Sequence, residues 1–245
     1  MGFKEAFNMT LNELETLLAN LKNKAMKNIT FFPNGTIVFG VISILCLLTL
    51  HFISAEFKPN FRMVSEYALG KHKWLLTIFF LCWGVCSISS GFMLWNVVTS
   101  GWAKFGVVLL FVTGIGAIMG GLFDVQHKLH GFAFGIGVPF LPIGALLISY
   151  HLIKKAEWQN HSTSLLLSSH SIWISLIFMA VSMFLLFSTL KAAGIIYGPD
   201  SPPLTELPKG VIGINGWANR LLVLCYIMYP ILTAKLLLAI LTLKN

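Results

Sequence analysis

Six long apolar runs constrain this chain more than anything else in it. They cover about 35–54, 74–95, 104–123, 131–151, 171–190 and 217–241. A helix needs roughly 20 mostly apolar residues to cross a bilayer, whereas a membrane strand needs only about 10. Backbone amides in hydrocarbon must be satisfied within their own segment, so runs of this length are read as helices. Only 11% of the 245 residues are charged and 56% are apolar, a balance far from that of a soluble domain. Six of the seven tryptophans (Trp74, Trp95, Trp102, Trp158, Trp173, Trp217) fall near predicted helix ends, where aromatic belts form. The expected fold is all-α: a polytopic membrane protein of six transmembrane helices, preceded by an N-terminal amphipathic helix.

Two parts are expected, residues 1–30 and the six-span domain 31–245. In the first, Thr10 and Glu13 form a capping-box pattern. Leu11, Leu14, Leu18, Leu21 and Ala25 then repeat at helical spacing. Such a seam suits a helix lying on the membrane surface or, over residues 8–28, a docking arm for a protein partner. Asn28, Pro33, Asn34 and Gly35 are expected to break that helix before the first span.

The net charge of +8 points to headgroups of the lipid bilayer and not to nucleic acid, because the basic residues lie in loops and termini. Lys and Arg divide eight against eight between the two faces, with Lys235 inside the last span. The positive-inside rule therefore does not orient the chain. The Lys22, Lys24 and Lys27 cluster before the first span favours cytoplasmic termini in the cell membrane. Cys46, Cys82, Cys86 and Cys225 lie inside apolar runs and are read as packing residues. Gly116/Gly120 and Gly131/Gly135 are small-xxx-small pairs that permit close helix approach, and Pro139 and Pro142 are expected to kink the fourth span.

Chemistry concentrates on the face opposite the termini. The stretch Gly120–Gly131 is a polar island holding Asp124, His127 and His130. Glu66 precedes the second span, and Arg220 opens the sixth. If the island is helical, residues three apart share a face. Asp124, His127 and His130 then form a candidate zinc set with Glu66 as general base. The alternatives are an unmetallated cluster that binds a ligand, and plain pairing of Asp124 with Lys128 or Arg220. Arg220 either snorkels to headgroups or pairs with Glu66 or Asp124. The loop 191–216, rich in proline, is long enough to cover a site beneath it.

Several motifs together resemble a bacterial integral membrane family catalogued as domain of unknown function nine-nine-eight. They are Ser65-Glu66, Gly114-x-Gly116, Gly121-Leu122-Phe123 with Asp124, His130-Gly131, and Gly216-Trp217-Ala218-Asn219-Arg220, within about residues 35–241. The family's island reads Phe-Pro-x-Asp, whereas here Asp124 follows Phe123 directly. The resemblance implies six spans with polar motifs at their ends, and no established activity. A looser analogy is to alkaline ceramidases and to progestin and adipoQ receptors, which hold zinc through Asp and His at span ends. Those proteins have seven spans and a His-x-x-x-His pair that this chain lacks.

The leading expectation is a polar pocket at this face, binding a small polar molecule or lipid headgroup through Glu66, Asp124, His127, His130 and Arg220. A zinc-dependent lipid hydrolase and an accessory subunit of a larger complex, docking through residues 8–28, are the alternatives. Whether the chain is an enzyme is open from the residues alone.

Overall fold

The computed structural model describes residues 16, 30–196, 198, 201 and 204–243. Apart from Thr16, residues 8–28 with their amphipathic seam lie outside these, as do Pro199, Asp200, Pro202 and Pro203 of the long loop. The described residues form six helical units long and apolar enough to cross a membrane. In chain order they are α1 (Thr30–Ile53), α2 (Lys73–Trp95), α3 (Gly101–Leu122), α4 (His130–Gly137) with α5 (Phe140–Leu152), α6 (Ser162–Ala192) and α7 (Asn215–Leu243). Short 3₁₀ helices, Val64–Leu69 and Ala156–His161, precede α2 and α6.

Three boundaries differ from the sequence expectation. Pro33, Asn34 and Gly35 do not break a helix; they lie inside α1. The fifth span begins nine residues early, because Ser162 to His170 continue the helix beyond its apolar part. The fourth span is broken rather than kinked: α4 ends at Gly137, and Pro139 caps α5. Tyr226 donates its hydroxyl to the Val138 carbonyl at 2.7 Å, supplying at the break a partner that proline cannot.

Helix approach depends on glycine, although not at both expected pairs. A Cβ on Gly116 would stand 2.3 Å from the Gly137 backbone, so α3 and α4 touch main chain to main chain. Gly131 and Gly135 meet nothing within 4 Å, and the expected close approach there is not found. Most of the large buried side chains form one core, with Phe79, Leu110, Ile148 and Tyr229 fully enclosed. Trp74, Trp102 and Trp217 are exposed near helix ends, as an aromatic belt requires, while Trp158 is buried. The four cysteines are free thiols.

Candidate functional site

The loop between α1 and α2 is bolted to the first turn of α7. Asn215 Nδ2 donates to the Phe61 carbonyl at 2.7 Å, and Gly216 N to the Asn60 carbonyl at 3.0 Å. Val64 N donates to Asn219 Oδ1 at 2.8 Å. Arg220, 6% exposed, donates through Nη1 to the carbonyls of Arg62 (2.7 Å), Gly216 (3.0 Å) and Pro59 (3.4 Å), and through Nη2 to the Tyr67 hydroxyl (2.8 Å). These bonds explain why the Gly-Trp-Ala-Asn-Arg motif reads as it does. A Cβ on Gly216 would stand 2.4 Å from the Pro59 carbonyl and 2.6 Å from that of Arg62, so only glycine lets the loop lie this close.

Arg220 therefore neither snorkels nor bonds to Glu66 or Asp124. The partner of Glu66 is Arg62, with Oε1 3.1 Å from its Nε, while Oε2 accepts from Met63 N at 2.6 Å. Burial raises the Glu66 pKa above its ordinary value, against the pull of the Met63 N–H and Arg62. A buried carboxylate is disfavoured unless its charge is compensated, and here the compensation is incomplete.

The island is not helical. Asp124 and His127 lie in consecutive turns and His130 opens α4, with His127 N bonded to the Asp124 carbonyl and His130 N to that of His127, both at 2.9 Å. Asp124 pairs with Lys73 at the start of α2, not with Lys128 or Arg220, and accepts from Gln126 N at 3.0 Å. The Lys73 bond holds the Asp124 pKa below the usual carboxylate range. His127 is exposed, stacks on Phe123 at 4.7 Å, and accepts through Nδ1 from Leu129 N. His130 Nδ1 lies 2.9 Å from the Phe123 carbonyl. Among the described residues, no three His, Cys, Asp or Glu side chains come together in a group that could hold a metal ion.

Below this polar face lies a cavity of about 1080 Å³ between α2, α3, α4, α6 and α7. Of the five residues expected at a site, Glu66 and His130 line it; Asp124, His127 and Arg220 do not. Arg62, Gln126, Asn215 and Ser201, not expected at a site, also line its outer end, as does Asn219 of the Gly-Trp-Ala-Asn-Arg motif. Asn215 and Asn219 carried a signal in hindsight: two amides at i and i+4 in the first turns of an apolar span. Gly198, Ser201 and Leu204 of the long loop reach the cavity, and Arg62 Nη1 donates to the Leu204 carbonyl at 2.8 Å. Deeper in, the walls are apolar: Phe80, Ala117, Ala133, Met179, Leu222 and Val223. Trp83 lies about 15 Å along α2 from Lys73 by helical rise, and its indole N–H has no partner.

The family model described as "Protein of unknown function (DUF998)" matches residues 37–234, most of the chain. The chain belongs to that family. No curated protein and no solved structure matches it.

Proposed function

We propose that this member of the DUF998 family binds an amphipathic lipid in the cavity, with the headgroup at the outer end and the chains in the depth. The observation that carries the reading is the division of the cavity along its length. Arg62, Glu66, Gln126, His130, Asn215 and Asn219 cluster at the membrane face, and below them the lining is almost wholly hydrocarbon and aromatic. Ligand sites are mostly apolar, with a few placed polar groups that fix orientation, and a volume of this size fits a molecule and not a few waters. Asp124, His127 and Arg220 act behind the site: Asp124 ties the island to α2, and Arg220 holds the loop that presents Glu66.

The test is lipid identification. Full-length protein purified in mild detergent should carry a lipid class enriched over the bulk membrane extract, read by mass spectrometry. Ala133, 2% exposed on the cavity wall, is replaced by tryptophan to fill the space. The enriched class should disappear in Ala133→Trp while the melting temperature stays near wild type. Equal recovery of that class from both proteins overturns the reading.

A further inference from the structure

We infer that the headgroup is neutral and rich in hydroxyls, as in a glycerol- or sugar-headed lipid, and is neither an anion nor a cation. The inference rests on the proposed lipid site and specifies its ligand. It follows from which hydrogen-bonding positions at the cavity's outer end are still free.

Three residues that line the cavity, on three different elements, carry acceptors with unspent capacity. Asn215 is 2% exposed; its Nδ2 is committed to the Phe61 carbonyl, and its Oδ1 has no partner. The amide cannot be turned round, because Oδ1 would then oppose a carbonyl oxygen. A buried acceptor left unpaired costs roughly 1–3 kcal/mol. Oδ1 is covered in the empty cavity, so a ligand hydroxyl reaches it only by a small shift of its surroundings, and recovers that cost when it does. His130 supplies the second. The Phe123 carbonyl only accepts, so Nδ1 must carry the proton, and in the neutral ring Nε2 is then an acceptor. No described residue bonds to Nε2. The third is Glu66: each carboxylate oxygen has one protein partner, and a carboxylate offers about four lone-pair sites.

Charged headgroups fit poorly. An anion needs accessible cationic donors. Arg62, which lines the cavity, ion-pairs with Glu66 and donates to the Leu204 carbonyl, Arg220 donates to three carbonyls and Tyr67, and Lys73 is taken by Asp124. The Nε atoms of both arginines lack a hydrogen-bond partner but are buried from any ligand. A cation would have to take Glu66 from Arg62 and would face two guanidinium groups. A hydroxyl donates to any of the three acceptors and brings no charge into a half-buried site.

The experiment titrates full-length protein in phosphatidylcholine nanodiscs with four probes that share dioctanoyl chains, read by native mass spectrometry. They are dioctanoyl glycerol, its monoglucosyl form, dioctanoyl phosphatidic acid and a dioctanoyl trimethylammonium lipid. The two neutral probes should bind at least about tenfold more tightly than the charged pair. The preference between them tells whether the glycerol or the sugar hydroxyls are read. His130→Phe should weaken the neutral probes about tenfold, the worth of one good hydrogen bond, and leave phosphatidic acid unchanged. Ala133→Trp should abolish binding of both neutral probes. If Ala133→Trp abolishes binding but phosphatidic acid or the ammonium lipid binds as tightly as the neutral probes, the headgroup inference falls and the cavity stands. If Ala133→Trp alters nothing, the lipid site falls and the inference with it.

Discussion

Two polar clusters at the same membrane face look alike as residue lists and behave differently as structures. The latch joins residues 59–67 to the first turn of α7. The island, residues 123–130, joins α3 to α4. In the latch, Arg220 makes four hydrogen bonds, three to backbone carbonyls and one to the Tyr67 hydroxyl, and of its nitrogens only Nε lacks a partner. In the island, His127 is exposed, and His130 lines the cavity with one ring nitrogen unbonded among the described residues. A polar residue in an apolar chain is thus not informative by itself. What separates scaffold from site is how many of its hydrogen-bonding positions remain unspent after folding.

The sharpest way to break this contrast is to attack the latch. Arg220→Ala strands buried carbonyls and the Tyr67 hydroxyl, and should cost at least about 3 kcal/mol. Gly216→Ala forces a methyl against two carbonyls and should cost about 2–3 kcal/mol. Both should appear as lost monodisperse protein in fluorescence-detected size exclusion, and Arg220→Lys should not restore it, since one ammonium cannot span those acceptors. A latch that tolerated all three changes would not be scaffold.

A smaller effect distinguishes the two carboxyls by the sign of their pH dependence. The Glu66 pKa is raised in the fold by burial, so its contribution to stability is present below the ordinary glutamate range and lost as pH rises through the raised value. The Asp124 pKa is lowered, chiefly by Lys73, so its contribution is present above the ordinary aspartate range and lost as pH falls through the lowered value. Thermal melts across pH for Glu66→Gln and Asp124→Asn, each subtracted from wild type, should slope in opposite directions. The Asp124 difference should be under about 1 kcal/mol, because its pair with a half-exposed lysine is screened. Parallel slopes would place both carboxyls in one environment. Smallest of all, His127→Ala should shift stability by less than about 0.5 kcal/mol and leave lipid binding as it was. Loss of stoichiometric zinc in that variant, read by elemental analysis, would instead restore the metal reading of the island.

The membrane architecture was legible because it follows from length and apolarity, which need no partner to interpret. Part of the cavity's polar lining was legible too, through the rarity of charge: Glu66 and His130 stood out among apolar neighbours and line its outer end. Pairing was not legible. Lys73 and Asp124 are 51 positions apart, and nothing in their local sequence selects one another over Lys128 or Arg220. Arg220 invited a carboxylate partner on chemical grounds, but the loop backbone reached it first. Gly216 carried the clue, since a glycine one turn before a buried arginine marks main chain passing close by.

The interruption of the fourth span at Pro139 has a mechanical consequence. Eight residues of α4 make a rigid arm about 12 Å long, seated on α3 at its Gly137 end and carrying His130 at the other. Near that far end, Gly131 meets no neighbouring atoms within 4 Å. By simple leverage, a turn of about 10° at the joint sweeps the imidazole through roughly 2 Å, close to the reach of one hydrogen bond. In a continuous helix of 23 residues the same displacement would have to bend the whole span.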